Sequence, residues 1–213
     1  MNPTYKNEKL TYTEDGRLLD SGGHAVMMDW EDEIMKQQAE SICMNGGDVL
    51  NVGFGMGIID SYIESHRPRT HWIIEGHPDV QRKIIEDGWL KKPHVKVIFK
   101  PWQEVLYHLP KFDGIYFDTW AEDQSEFDTH VKNMLKPDGI YTFFNNPRGD
   151  ELGIHVALDS FKILSQFCDI ELKPFEIPNI NSIETQRQDG AYYWHPDNKI
   201  YWNPICRLQQ KFR

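Results

Sequence analysis

Three carboxylates and a run of glycines hold the chemistry this sequence can do. Residues 49–57 read Val49-Leu50-Asn51-Val52-Gly53-Phe54-Gly55-Met56-Gly57, an apolar run that ends in glycines spaced G-x-G-x-G. Twenty-two positions after Gly53, Glu75 closes a second apolar run, Trp72-Ile73-Ile74. An apolar strand, a glycine turn and a later strand-end carboxylate form a nucleoside-cofactor site. The glycines let backbone approach a ligand, and the carboxylate accepts both ribose hydroxyls. A dinucleotide fingerprint spaces its glycines G-x-G-x-x-G and aims a helix N-terminus at pyrophosphate. The tighter spacing here is more typical of S-adenosylmethionine sites, which have no phosphate to cradle. The competing reading is a tight strand-to-helix turn without a ligand.

The other two carboxylates are Asp118 and Glu31. Asp118 follows Gly114-Ile115-Tyr116-Phe117, so it is expected at the top of a central strand, with no cation near it in sequence. Its alternative is a capping aspartate, with Asp118-Thr119 closing a short turn. Glu31 falls in Met27-Met28-Asp29-Trp30-Glu31, the first turn of an expected helix. There an acid also serves simply to complement the helix dipole.

The elements that must position these residues follow from periodicity and punctuation. Residues 1–26 are polar and aromatic without a clear period and read as an extended arm. Residues 29–44 read as a helix that Asp29 can cap, with Trp30, Ile34, Ala39 and Ile42 at helical spacing. Strands are then expected at 49–52, 71–74, 95–99, 114–117 and 140–144. Helices alternate with them at 58–66, 78–87, 102–109 and 126–135, and Lys136-Pro137-Asp138-Gly139 reads as a turn. A helix at 151–166, a strand at 170–175 and the aromatic tail 192–207 complete the chain. Successive βα units imply a parallel, doubly wound α/β sheet. The final antiparallel pair gives the mostly parallel, seven-stranded, Rossmann-like sheet of a class I methyltransferase. One domain is expected over 1–213, with an N-terminal arm at 1–26 and a catalytic core at 27–213. Ligands in such sheets sit beyond the carboxyl ends of the strands. Those ends offer residues 53–57, Glu75-Gly76-His77, Pro101-Trp102-Gln103-Glu104, Asp118-Thr119-Trp120 and Asn145-Asn146, and Trp102 is expected to pack on adenine.

Composition excludes several function classes. The 213 residues suffice for one well-cored domain. The net charge of −10 disfavours nucleic acid, which calls for a basic face, and favours cationic partners. Cys43, Cys168 and Cys206 are isolated, and the histidines lack metal-binding spacing, so no metal is expected. No apolar run approaches the roughly 20 residues of a membrane span. Residues 1–6 show no apolar signal core, so a cytoplasmic location is expected.

Several segments resemble a known family. Val26-Met27-Met28-Asp29-Trp30-Glu31, Val52-Gly53-Phe54-Gly55-Met56, His77-Pro78-Asp79-Val80, Asp87-Gly88-Trp89, Phe117-Asp118-Thr119 and Tyr201-Trp202-Asn203-Pro204 are similar to the protein arginine delta-nitrogen (N5) methyltransferases of fungi and plants. Guanidinoacetate N-methyltransferase is a more distant likeness. The resemblance spans about Tyr5 to Arg207. It implies S-adenosylmethionine as cofactor and arginine in a peptide or protein as substrate, the delta nitrogen being the acceptor. Position by position, it implies that Tyr5 closes over the cofactor and that Met27 and Met35 line its pocket. Phe54, Gly55, Met56, Gly57, Ile58 and Ile59 match the glycine loop. Glu75, Gly76 and His77 match the ribose and adenine side, and Trp102 and Gln103 flank adenine. Glu31 and Asp118 match the acids that grip a guanidino group, Asp118 also bordering the cofactor, and Asn145 and Asn146 match a substrate-side loop. Two features depart from the pattern. The family carries an ankyrin-like region ahead of the catalytic domain, here expected to be absent, and Pro147-Arg148-Gly149-Asp150 stands where fungal relatives have a glycine-rich stretch.

The chemistry suits two acids. A guanidinium stays protonated near neutral pH and its lone pairs are tied up in resonance. Two carboxylates hold its planar fork by charge-assisted hydrogen bonds and align one nitrogen with the sulfonium methyl group. One acid takes the departing proton. Three other readings stay open on sequence alone. They are a methyltransferase of a small guanidino compound or free arginine, a nicotinamide-dependent oxidoreductase, and a catalytically silent binding module. Monomer and homodimer are equally compatible with the sequence.

Overall fold

The computed structural model describes residues 3–120, 122–145, 151–178 and 199–213, and side chains within 5–120, 122–145, 158–178 and 199–213. Its centre is a seven-stranded sheet built from β4 (Asp48–Val52), β5 (Thr70–Ile74), β6 (Val95–Ile98), β7 (Phe112–Phe117), β8 (Leu135–Phe143), β9 (Cys168–Glu176) and β10 (Ile200–Leu208). The spatial order is β6-β5-β4-β7-β8-β10-β9. The first five of these strands run parallel, and β10 enters antiparallel between β8 and β9. This is the expected mostly parallel sheet with an antiparallel finish. Helices α2 (Asp32–Ile42), α3 (Ile58–Ser65), α4 (Pro78–Glu86), α5 (Gln124–Met134) and α6 (Glu151–Leu164) connect or flank the strands.

β4 shows why the central strands were legible. Val49, Leu50 and Val52 are buried, and the strand has hydrogen-bonded neighbours on both edges. A strand covered on both faces reads as a continuous apolar run. Its polar member, Asn51, is buried as well, and its amide donates to both oxygens of Asp60 in α3, at 2.9 and 2.8 Å. The chain leaves β4 toward β5 on one side, and β7 joins on the other. The switch point of the sheet therefore lies between the ends of β4 and β7, where such folds hold ligands.

Four expectations are corrected. First, the arm is not extended. It forms a short helix, α1 (Pro3–Lys6), and a three-stranded antiparallel sheet of β1 (Thr11–Tyr12), β2 (Arg17–Leu19) and β3 (Ala25–Met28). Side chains close its turns. Thr13 Oγ1 accepts the Arg17 N–H at 2.9 Å, and Asp20 Oδ1 accepts those of Gly22 and His24 at 2.9 and 2.8 Å. Strands of two to four residues are too short for a period of two to show. Second, Asp29 does not cap a helix. Residues Asp29–Glu31 form a 3-10 turn, and α2 begins only at Asp32. Third, the segment 102–109 is two 3-10 turns, Trp102–Glu104 and Leu106–His108, with no α-helix. Fourth, Lys136-Pro137-Asp138-Gly139 lies within the span of β8. The ladder jumps from Phe112 opposite Leu135 to Gly114 opposite Ile140, so the four residues bulge out between paired positions. Of the aromatic tail expected at 192–207, residues 192–198 lie outside the described residues. Among the described residues no helix is long and apolar enough to cross a membrane.

Candidate active site

The site starts from one close approach. The Asp118 N–H donates to the Val52 carbonyl at 3.0 Å, which draws the end of β7 onto the end of β4. Gly53 follows with a φ of 95°, and a Cβ built there would stand 1.8 Å from the Asp118 carbonyl oxygen. No side chain fits. Gly53 thereby lets the glycine loop and the strand-end acid meet.

Glu75, at the tip of β5, shapes the loop. Its Oε2 accepts the Phe54 N–H at 2.9 Å and its Oε1 accepts the His77 N–H at 2.7 Å. The loop is also held from the arm. Tyr12 donates its hydroxyl to the Gly55 carbonyl at 2.9 Å, and the Met56 N–H points at Met27 Sδ at 3.3 Å. The Leu10 N–H bonds Asp79 at 2.9 Å, and the Tyr5 ring lies 4.9 Å from that of His77. His77 Nε2 and the Glu8 carbonyl are 3.1 Å apart.

These contacts form the walls of one partly open cleft at the carboxyl ends of the strands. Tyr5, Met27, Met35, Phe54, Gly55 and Ile59 line it, as do Glu75, Gly76, Trp102 and Asp118. Trp102 is wedged edge-on against Phe117 and Phe127, with ring centroids at 5.9 and 5.4 Å. The remaining sequence candidates stand behind the lining. Gly57 precedes α3 in the left-handed region, and Met56 and Ile58 flank it. His77 braces Glu75, and Gln103 sits in the turn after Trp102.

The two candidate acids, Asp118 and Glu31, have distinct settings. Asp118 is half-buried, and the Tyr116 hydroxyl reaches its Oδ2 at 3.4 Å. Helix α5 is capped by Asp123, whose side chain accepts the Ser125 N–H, so Asp118 caps no helix. Glu31 is 1% exposed and accepts the Met28 N–H at 2.9 Å. A carboxylate at the water-exposed start of a helix is explained by the dipole, but a buried one is not. Glu31 and Asp118 are close enough that the charge of Asp118 raises the Glu31 pKa. Asn145 is linked to them through Tyr201, whose pKa is raised by burial and by both acids. Its N–H donates to the Tyr201 hydroxyl at 2.6 Å, and Gln38 Nε2 donates to the same oxygen at 3.1 Å. Asn146 lies outside the described residues.

Burial governs the ionisation of all three acids. It pushes Glu75 up to about 7 against the loop N–H bonds, and Asp118 up to about 6 against the Tyr116 bond. Burial first, then the Asp118 charge, raises Glu31 well above the carboxylate range. A raised carboxylate pKa means that the folded state holds its proton more tightly than the unfolded chain does. The stability this contributes is complete below about pH 4 and is lost as pH rises through the folded pKa. Thermal unfolding of the ligand-free protein should therefore fall in midpoint from pH 5 to pH 8. Glu75 alone accounts for on the order of 3 kcal/mol. A midpoint that stays level or rises over that interval contradicts the assignment.

Thr119 and Trp120, offered by the same strand end as Asp118, line the cleft, and so do Tyr116 and Glu122, which were not among the sequence candidates. Tyr116 was within reach of a period-two argument, since it shares a strand face with Asp118. Glu122 was not, because its contact with Trp102 spans 20 residues.

Known proteins resemble the chain at two levels. In sequence, the family profile of guanidinoacetate N-methyltransferase matches residues 1–153. The chain is 37% identical to protein arginine N-methyltransferase 2 of Yarrowia lipolytica, over 95% of the chain and 46% of that protein. The corresponding Candida glabrata protein is 35% identical, over 91% of the chain and 52% of that protein. The chain thus spans about half the length of the curated relatives it matches. In structure, a spermidine synthase from Thermotoga maritima superposes with a TM-score of 0.63 at 14% identity, covering 94% of this chain and 68% of the other. Precorrin-6y C5,15-methyltransferase from Geobacter metallireducens gives 0.60 at 14% identity, covering 83% and 88%. The structural likenesses speak to the class I, Rossmann-like fold. With the glycine loop, the strand-end acids and the sequence match pointing one way, the chain belongs to the guanidinoacetate N-methyltransferase family.

Proposed function

We propose that residues 1–213 form one S-adenosylmethionine-dependent domain that methylates a guanidino nitrogen of arginine, the delta nitrogen, in a peptide or protein. The observation that carries this reading is the placement of Glu31. A buried acid stands within electrostatic reach of Asp118, and Asp118 lines the same cleft as the glycine loop hooked onto Glu75. Two acids at the edge of a nucleoside cleft suit a planar cation that must be held against a methyl donor. The arginine methyltransferase names of the sequence relatives support the substrate class.

In this reading the cofactor supplies an electrophilic methyl group, and the protein binds, orients and moves a proton. Glu75 takes the ribose hydroxyls, Gly55 and Phe54 abut the nucleoside, and Tyr5, Met27 and Met35 close the apolar side. Glu31 and Asp118 grip the guanidinium with Asn145 beside them. Because Asp118 titrates at about 6, it is ionised at neutral pH and able to accept the proton that leaves as the nitrogen lone pair localises.

The deciding experiment incubates the protein with methyl-labelled cofactor and a panel of arginine peptides, free arginine and guanidinoacetate. Products are then read by mass spectrometry with fragmentation. Label on the delta nitrogen of a peptide arginine is expected. Label on free arginine or guanidinoacetate alone selects the small-molecule reading. Stabilisation by NAD and not by S-adenosylhomocysteine rejects both.

A further inference from the structure

Glu122 stands on the loop between β7 and α5, and neither the glycine pattern nor the family resemblance gives it a role. Its carboxylate lines the cleft. Oε2 accepts the indole N–H of Trp102 and takes the Thr119 hydroxyl at 3.3 Å. Trp102 is 3% exposed and packed edge-on against Phe117 and Phe127, so the partner that holds Glu122 is itself buried in the core.

The position of this carboxylate relative to a bound nucleoside follows from strand order. Glu75 marks the ribose at the tip of β5. Gly53 and Asp118 mark the reacting end at β4 and β7. β6 lies on the opposite side of β5 from β4, and the chain leaving it supplies Pro101 and Trp102 to the cleft wall. A nucleoside with its ribose on Glu75 and its 5′ end toward Asp118 must set its base against Pro101 and Trp102. That wall offers flat, apolar surface, and Glu122 brings a negative acceptor to it. A carboxylate has about four lone-pair directions, and the Trp102 and Thr119 donors both lie on Oε2. Adenine presents an exocyclic amine, a donor. Hypoxanthine presents a carbonyl at the same place, an acceptor.

We propose that Glu122 is a specificity-determining residue that accepts a hydrogen bond from the exocyclic amine of the cofactor's adenine. The proposal rests on the methyl-donor reading of the cleft. A carboxylate facing a carbonyl leaves two acceptors opposed and undonated, which disfavours hypoxanthine.

Titration calorimetry with S-adenosylhomocysteine and S-inosylhomocysteine tests it without an activity assay. The wild-type chain should prefer the adenine ligand by at least about tenfold. In Glu122→Gln the amide presents either its oxygen or its NH₂, and the preference should shrink to about threefold or less. Should that variant fail to fold, Glu122→Ala reports the same ratio. A variant that binds both ligands more weakly but keeps the wild-type ratio overturns the proposal, since structural damage alone produces that result. Wild-type binding of neither ligand overturns the methyl-donor reading itself, and this proposal with it.

Discussion

Asp118→Asn should lower kcat by at least about a hundredfold while leaving S-adenosylhomocysteine affinity within about threefold of wild type. The substitution keeps the shape of the side chain and the backbone bond from the Asp118 N–H to Val52, so the β4–β7 seam is retained. It removes the negative charge that holds the guanidinium and the lone pair that takes its proton. The neutral amide also ends the mutual repulsion with Glu31, which should then titrate lower. Glu31→Gln is the companion. It should lose activity comparably and, because a buried ionisable group is neutralised, gain or keep thermal stability. Asp118→Asn with wild-type turnover removes Asp118 from the mechanism. Glu31→Gln that changes only the melting temperature returns Glu31 to a structural role.

The second large effect is expected at a glycine. Gly53→Ala should destabilise the fold by ~3 kcal/mol or more and abolish cofactor binding. The new Cβ would fall 1.8 Å from the Asp118 carbonyl oxygen, and that atom is backbone, which cannot rotate away. The strands must part, and the bond from Asp118 to Val52 goes with them. Gly46→Ala is the control. Gly46 also has positive φ, 61°, but an added Cβ there has nothing within 4 Å. Its cost should stay near 1 kcal/mol, the backbone penalty alone. Urea unfolding of both variants separates the steric part from the conformational part. Equal losses at the two positions contradict the seam argument.

How far this was readable beforehand depended on the kind of signal. β4, β5 and β6 fall within a residue of their expected ends, β4 most directly because a parallel strand buried on both faces leaves an unbroken apolar run. Glu75 was readable because a strand-end acid follows a glycine loop at a regular distance. The arm was unreadable because its strands are shorter than any period and are fixed by turn side chains. Glu31 had an adequate local explanation as a first-turn acid, and only resemblance singled it out. Its burial depends on Trp30, Ile34 and Tyr201 folding together into one cluster, which no window of sequence contains. Glu122 is the extreme case. Its meaning comes from a tryptophan on another strand's loop.

The arm has a kinetic consequence. Tyr12, Leu10 and the Glu8–His77 contact fasten it to the cofactor loop and to the start of α4 through only a few bonds. Behind those bonds Tyr5, Leu10, Leu18 and Met27 are buried in one apolar cluster with Phe54 and Ile59. The arm and the cleft wall are thus one packed unit. Loosening the arm by substitution at Leu10 or Tyr12 should therefore shorten residence of a ligand in the cleft without touching the acids.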